Sequence, residues 1–83
     1  MKLYNYNGKM NLVGIRVRQA RNNLHLSQSD LAAKMQVEGV NIEQKAISRI
    51  ELQERIVTDF ELLKLALILK VSVQWLLTGN ENL

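Results

Sequence analysis

Four polar side chains in the middle of the chain have the residue types and the spacing of a surface that forms specific hydrogen bonds. They are Gln44, Lys45, Ser48 and Arg49. If Ile47 and Ile50 face inward on a helix, these four residues share its outward face. A glutamine amide can pair with adenine in a bidentate way, and arginine or lysine can bind O6 and N7 of guanine. The alternative is the solvated polar face that any surface helix needs.

A second amphipathic segment, from Leu26 to Met35, precedes this face. Ser27 is a good N-cap, and Asp30 lies in the position of a weak capping box, which places Gln28 in the first turn of a helix. The amide of Gln28 can donate to a phosphate where the helix N-terminus adds a partial positive charge, although it can also simply face solvent. Two such helices in succession have the layout of a helix-turn-helix, whose second helix enters the DNA major groove.

The charge distribution is uneven. The chain has 83 residues and a formal net charge of +3. Residues 1–29 contain no acidic side chain, and their basic residues are Lys2, Lys9, Arg16, Arg18 and Arg21. Such a segment can line a polyanion, because neutralised phosphates release condensed counterions. The alternative is an ordinary solvated helix face.

Capping signals and apolar periods predict five short helices joined by short connections. We expect them over about 11–23, 27–38, 43–52, 58–69 and 72–78, with N-caps at Asn11, Ser27, Thr58 and Ser72. Gly39 should take a left-handed conformation, with Val40 closing over the end of helix 2. Residues 1–10 show no helical period and are predicted to be a flexible N-terminal arm, which leaves 11–83 as the folded domain.

Three islands of sequence resemble the Cro and phage-repressor type of helix-turn-helix, the XRE family. They are Leu26-Ser27-Gln28 with Leu31-Ala32, Ile47-Ser48-Arg49-Ile50-Glu51, and Leu69 with Val71-Ser72-Val73 and Trp75-Leu76-Leu77. The resemblance covers roughly residues 12–79. It implies an all-α, compact five-helix domain of the lambda-repressor-like DNA-binding type, in which helices 2 and 3 form the helix-turn-helix.

The resemblance also implies roles for individual residues. Gln44 and Lys45 match the positions from which the family reaches base edges, and Ser48 and Arg49 extend that surface. Backbone or flanking contacts are expected from Ser27, Gln28, Arg16 and Arg18. Glu51 resembles a structural glutamate that pairs with an arginine of helix 1, and Arg21 occupies the matching place.

Three features depart from the family pattern. The segment 36–42 is about five residues longer than the usual tight turn, which leaves the docking angle of helix 3 open. Glu43 stands where Ser or Thr normally caps the recognition helix, and its charge would weaken non-specific binding to phosphate. His25 replaces a frequent Gly at a position where a left-handed backbone is common, and we interpret it as structural.

One domain of this size makes few DNA contacts, and the family generally works as dimers on two half-sites. Several apolar residues have no obvious place in the core and are predicted to form a twofold interface: Ile56, Val57, Phe60, Leu63 and Leu67. A slightly wider core is the equal alternative.

Other classes of function are disfavoured. The chain has no Cys and one His, so it lacks the usual ligands of a metal site, and no Gly-rich phosphate loop is present. Ser27, His25 and Asp30 crowd into one helix junction without room for a substrate, which argues against an enzyme. We expect no cofactor and no small-molecule ligand. The longest apolar run, Leu65 to Leu69, cannot cross a bilayer, and a cytoplasmic location follows by default.

The sequence therefore predicts a DNA-binding transcriptional regulator that recognises double-stranded DNA, with a dimeric repressor on a palindromic operator as its most specific form. The alternative is a helical protein-interaction module, such as an antitoxin or adaptor, that kept the fold without operator binding.

Overall fold

The structure, a computed structural model, describes residues 5–81. Over this range the chain forms five helices and no β-strand: α1 Gly14–Asn23, α2 Gln28–Val37, α3 Gln44–Glu51, α4 Asp59–Leu69 and α5 Val73–Thr78. The predicted all-α fold with five helices is confirmed, and most helix ends agree with the prediction to within a residue or two.

The helices pack around one apolar core. Both α1 and α2 pack on α3 and on α4, and α5 packs on α4. The largest fully buried side chains come from all five helices: Val17, Leu31, Met35, Ile47, Ile50, Leu65, Leu69 and Leu76. Each such side chain contributes roughly 1.5–3 kcal/mol by leaving water. Helices of 6 to 11 residues depend on this packing, because they are too short to be stable alone.

Side-chain caps define the starts of three helices, as predicted. Ser27 Oγ accepts a hydrogen bond from the Asp30 amide at 2.9 Å, and the Asp30 carboxylate accepts one from the Ser27 amide at 2.9 Å. Thr58 and Glu61 form the same reciprocal box at the start of α4, and Ser72 caps α5. Each cap satisfies amide groups that have no partner within the helix, which typically stabilises a helix by about 1 kcal/mol.

The lengthened turn between α2 and α3 spans residues 38–43 and is anchored to the core. Gly39 has a φ of +85°, and the Val40 amide donates to the Met35 carbonyl at 3.0 Å, which closes the end of α2 as expected. Val40 and Ile42 are both buried. The Gln36 side chain donates to the Ile42 carbonyl at 2.8 Å. The sequence prediction had not placed Ile42 in the core.

The predicted N-cap of α1, Asn11, lies two residues before the observed N-cap position. The helix begins at Gly14, and its N-cap position is Val13, which offers no side-chain cap. Asn11 still caps the helix from outside, because its Oδ1 accepts from the Val13 and Gly14 amides at 3.1 and 2.8 Å. Its Nδ2 donates to the carbonyls of Ile50 and Arg55 at 3.1 and 2.8 Å. Asn11 is therefore displaced from the helix because it also binds the end of α3.

Gly14 is the point of closest approach between α1 and α3. A Cβ atom at this position would overlap the Ile50 carbonyl oxygen and would lie 3.0 Å from Cγ of Gln53. Gly14 is buried although it opens a helix, a position where glycine has no intrinsic advantage. The close packing of the two helices therefore requires a residue without a side chain here.

Part of the N-terminal segment has a defined conformation. The amides and carbonyls of Tyr6 and Lys9 exchange two hydrogen bonds of 2.7 and 2.9 Å around a tight turn, and the Met10 amide donates to the Gln53 carbonyl at 3.0 Å. The prediction that residues 1–10 are a flexible arm stays a prediction, and its first four residues lie outside the described range.

We predict that Gly14→Ala destabilises the fold by roughly 1–3 kcal/mol, because the new methyl group overlaps a backbone carbonyl that cannot move without shifting α3. Urea denaturation of the variant measures the loss. The matched control is Gln19→Ala, an exposed position on the same helix, which should leave stability nearly unchanged. Equal stability of the two variants would show that α1 and α3 do not approach each other this closely.

Arg55 and Glu61 form a second structural ion pair at the start of α4. Both oxygens of Glu61 accept hydrogen bonds of 2.9 Å from the guanidinium of Arg55, and Glu61 is buried. Burial acts to raise the pKa of Glu61, but the hydrogen bonds from Arg55 and Thr58 outweigh it and hold that pKa below its ordinary value of 4.5. The ionised carboxylate therefore contributes stability that is fully present above about pH 4.5 and is lost as the pH falls through the lower, folded-state pKa.

We expect the free energy of unfolding to decrease as the pH is lowered from 5 towards 3, and to decrease less steeply in Glu61→Gln. At neutral pH this variant should lose roughly 1.5–3 kcal/mol, because the charge-assisted hydrogen bonds are weakened. Urea denaturation across that pH range tests both points. Glu54→Gln, at an exposed position, is the control and should keep the wild-type slope. An unchanged slope in Glu61→Gln would contradict the assignment.

Candidate nucleic-acid interface

The polar face of α3 lies where the sequence predicted it. Ile47 and Ile50 are fully buried, while Gln44, Lys45 and Arg49 are exposed. Ser48 is half-buried at the edge of this face. The structure therefore brings the four predicted base-reading residues together on one side of a single helix.

Arg21 and Glu51 form the predicted ion pair, buried between α1 and α3. The guanidinium donates from Nε to Glu51 Oε2 at 2.6 Å and from Nη2 to Oε1 at 3.0 Å. The two side chains are 11% and 3% exposed. The hydrogen bond from Arg21 to Glu51 raises the pKa of the guanidinium, which therefore stays protonated. Nη1 of Arg21 donates to the Leu26 carbonyl at 2.7 Å, which also fixes the link to α2.

A chain of hydrogen bonds leads from this buried pair to the surface of α3. Gln28 Nε2 donates to Glu51 Oε1 at 3.0 Å. In turn, Gln44 Nε2 donates to Gln28 Oε1 at 2.7 Å. The first turns of α2 and α3 are thus joined through their glutamine side chains. The sequence indicates both residues as candidates for the interface but does not reveal their contact with each other.

The order of donors and acceptors in this series of hydrogen bonds is fixed by the negative charge of Glu51. A carboxylate only accepts hydrogen bonds, so the Gln28 atom facing Glu51 must be the amide nitrogen. The Oε1 atom of Gln28 then faces Gln44, whose nearest atom must again be a nitrogen. This leaves the Oε1 atom and one N–H of Gln44 for an external partner.

Comparisons with known proteins agree with this geometry. The model of a family described as helix-turn-helix matches residues 17–76, which is most of the chain. The chain belongs to this helix-turn-helix family. Among solved structures it is similar to the P22 c2 repressor protein in complex with a synthetic operator, at 33% identity and a TM-score of 0.71, covering 84% of this chain and 98% of the chain in that structure.

A second similar structure is SinR, a master regulator for biofilm formation, in complex with DNA. The identity is again 33%, the TM-score is 0.67, and the match covers 78% of this chain and 97% of that one. No curated protein matches. Family membership makes this helix-turn-helix protein a DNA-binding transcription regulator and not an enzyme, as the sequence indicated.

The residues of this helix-turn-helix protein that are predicted to contact the DNA backbone differ in exposure and in their hydrogen-bond partners. Arg18 is exposed on α1. Arg16 donates from Nε to the Leu76 carbonyl at 2.9 Å and from Nη2 to the Leu77 carbonyl at 3.0 Å, so its guanidinium binds the end of α5. The hydroxyl of Ser27 accepts from the Asp30 amide as a cap. Contact of any of these with DNA stays a prediction, and Arg16 would have to make it with the N–H groups that do not bind the end of α5, or give up those two bonds.

The N-terminal end of α3 is open. Glu43 occupies the N-cap position but its side chain makes no capping hydrogen bond, and the first turn contains no acidic residue. A shallow groove of about 300 Å³ lies between the preceding turn and the side chains of Lys45 and Arg49. Within residues 5–81, the Arg49 side chain makes one hydrogen bond, of 3.3 Å, to the Glu54 carbonyl. The cationic side chains beside this groove are therefore available to bind an external acceptor.

His25 has the left-handed conformation that the sequence suggested, with a φ of +58°. Its amide donates to the Asn22 carbonyl at 3.0 Å, which ends α1 just before the segment that Arg21 binds. The residue is exposed and acts in the turn, in agreement with a structural role.

Other kinds of site find no support in the part of the chain that the structure describes. No group of His, Cys, Asp or Glu side chains in residues 5–81 is arranged to hold a metal ion. In the same range, no helix is long and apolar enough to span a membrane.

We predict that Arg21→Met costs roughly 3–5 kcal/mol of stability, because it leaves the carboxylate of Glu51 buried without its cation. The double variant Arg21→Met/Glu51→Leu should recover most of that loss, since it removes both charges. Urea denaturation of the two variants provides the comparison. If the single and double variants were equally unstable, the loss would come from packing and the ion pair would have little role.

Proposed function

We propose that this protein is a sequence-specific, double-stranded DNA-binding regulator that reads the major groove with α3, and that it acts as a dimeric repressor on a palindromic operator. The observation that carries the proposal is the chain of hydrogen bonds from the buried Arg21–Glu51 pair through Gln28 to Gln44. It holds a base-reading amide in one orientation before any DNA is bound, which lowers the entropic cost of forming a specific contact.

Gln44 is matched to adenine. In the major groove adenine presents an acceptor, N7, and a donor, the N6 amino group. The remaining N–H and the free Oε1 of Gln44 complement these two atoms. Guanine presents two acceptors, N7 and O6, and would place one of them against Oε1. We therefore expect an adenine in each half-site opposite Gln44.

Lys45 and Arg49 supply the positive charge on the same face. Both are suited to guanine O6 and N7 or to a phosphate. The single long hydrogen bond of Arg49 to the Glu54 carbonyl is exposed, so exchange for a DNA acceptor costs little. Ser48, one helical turn after Gln44 and Lys45 at the edge of the face, is proposed to take part as well.

Phosphate contacts are proposed for the start of α2 and for α1. Gln28 Nε2 has a second N–H beyond the one that binds Glu51, and it lies at the positive end of the α2 dipole. Arg18 is the exposed cation of α1. Arg16 is a weaker candidate for a phosphate contact than Arg18, because its guanidinium is bound to the end of α5. The similar P22 c2 repressor and SinR structures are both DNA complexes, which supports this assignment.

A dimer is proposed because one recognition helix covers too few base pairs for tight specific binding. The candidate interface residues differ in exposure. Phe60, Leu63 and Leu67 are more than half exposed, and Ile56 is 39% exposed. Val57 packs partly against the core, so we assign it a smaller contribution to the dimer interface. A regulator of this kind works where the chromosome is, which for a bacterial or phage protein is the cytoplasm.

The test is selection from a random-sequence DNA duplex library with the purified protein at two salt concentrations. We expect enrichment of a palindrome whose half-sites are about one helical turn apart. Gln44→Ala should lose the preference for adenine at one position per half-site, which is worth roughly 1–3 kcal/mol. Gln19→Ala removes an exposed amide from α1 and serves as the matched control, with the wild-type preference retained.

Other outcomes contradict parts of the proposal. Salt-sensitive binding without any enriched sequence would mean that the basic surface meets only phosphate. Absence of binding at both salt concentrations would favour the protein-interaction module, for which the acidic Glu43 beside the reading face is the structural argument. An enriched site that Gln44→Ala leaves unchanged would refute the assignment of adenine to Gln44.

A further inference from the structure

Helix α4 is apolar on two opposite faces. Its inner face buries Leu65, Ala66 and Leu69 in the core. Its outer face carries a stripe of three large apolar side chains, Phe60, Leu63 and Leu67, which are 57%, 59% and 61% exposed. At 3.6 residues per turn this stripe points almost directly away from the core.

A helix that is apolar all round is normally covered on both sides. The stripe follows the spacing i, i+3, i+7, which is the pattern of side chains that pack against a second helix. Large apolar side chains scattered singly on a surface need no explanation, but three in one row on one helix do. A second helix is therefore expected to cover the outer face of α4.

The stripe is complementary to itself when two copies are related by a twofold axis. Phe60 lies three residues before Leu63 and Leu67 four residues after it, so in an antiparallel pair of α4 helices Phe60 of each copy can meet Leu67 of the other. Leu63 then lies next to the axis, close to its own counterpart. An isologous contact of this kind closes on itself and gives a dimer rather than a filament.

The charges at the two ends of α4 have the same symmetry. Asp59 opens the helix and Lys70 follows its last residue, and both are exposed. By helical position both lie on one flank of the stripe, next to Leu63. In the antiparallel pair, Asp59 of one copy faces Lys70 of the other, twice. In a parallel pair Asp59 would instead be level with Asp59 and Lys70 with Lys70, so no Asp59–Lys70 pair could form between the copies.

We propose that α4 pairs with α4 of a second copy of this chain in antiparallel orientation, with the apolar stripe at the centre and an Asp59–Lys70 pair at each end. This inference rests on the dimer of the proposed function and gives its geometry. The contact involves few residues compared with the 20–30 a side of a stable interface, so we expect micromolar association that DNA binding reinforces.

Charge exchange tests the pairing on the full chain without DNA. Sedimentation equilibrium at low salt gives the dimer dissociation constant of the wild type. Asp59→Lys and Lys70→Asp should each weaken self-association by roughly tenfold or more, because each places like charges opposite each other. An equimolar mixture of the two variants should form a mixed dimer nearly as strong as the wild type, since both end pairs are then complementary.

Leu63→Glu provides an independent test, because it places two carboxylates at the axis and should abolish the dimer. Val37→Glu is its control, at an apolar position on α2 that is 85% exposed, and should dimerise like the wild type. Thermal unfolding of every variant shows whether the fold is retained. If a single charge variant does not fold, the double variant Asp59→Lys/Lys70→Asp replaces it and should self-associate.

The proposal is overturned if the wild type remains monomeric at about millimolar concentration. It is equally overturned if the wild type dimerises but mixing the two charge variants restores nothing, because another surface then forms the dimer. Binding of the wild type to a duplex with one half-site is measured separately. Loss of that binding contradicts the proposed function and leaves the α4 pairing intact. If the wild type binds this duplex but does not dimerise, the proposed DNA binding by α3 stands and the α4 pairing is refuted.

Discussion

The carboxylate of Glu51 is buried where α1, α2 and α3 meet, and the α3 side chains that we propose to face DNA depend on it. It accepts two hydrogen bonds from Arg21 and one from Gln28. A buried carboxylate without such donors would be strongly unfavourable, so the charge fixes which atoms surround it. Because the carboxylate cannot donate, it orients the Gln28 amide, and the Gln28 amide orients Gln44. One buried charge thus sets the chemistry that α3 presents at the surface.

Local signals in the sequence predicted the elements well. The boxes Ser27–Asp30 and Thr58–Glu61 and the cap at Ser72 each depend on residues three positions apart, so they are readable from the sequence. The burial of Ile47 and Ile50 follows from their spacing, and that spacing also placed the exposed face of α3. The Arg21–Glu51 pair was predicted from the family resemblance, because its two residues are 30 positions apart and no local sequence pattern connects them.

Contacts between distant segments were not readable in this way. The sequence suggests that Asn11 is a simple N-cap. The fold shows that its side-chain amide also donates to the carbonyls of Ile50 and Arg55. Gly14 reads as an unremarkable helix residue until α3 is packed against it. Arg16 looked like a free cation, although its guanidinium binds the end of α5, 60 residues away. The Gln28–Gln44 contact likewise depends on where the long turn places α3.

The two ends of α3 are held very differently, and this difference suits the proposed reading of DNA by the N-terminal half of the helix. At the C-terminal end, Asn11 binds the Ile50 carbonyl, Gly14 lets α1 approach closely, and Glu51 joins the buried ion pair.

The N-terminal end has no side-chain cap, and the glutamine pair is the side-chain hydrogen bond that ties its first turn to α2 in residues 5–81. Val40 and Ile42 anchor the long preceding turn from below without covering this end. The fixed end determines the direction of the helix relative to the core, and the open end leaves Gln44 and Lys45 exposed for the proposed contacts with base edges. A turn lengthened relative to the family pattern is tolerated because its extra residues add apolar anchors on the core side of α3, away from the face proposed to read DNA.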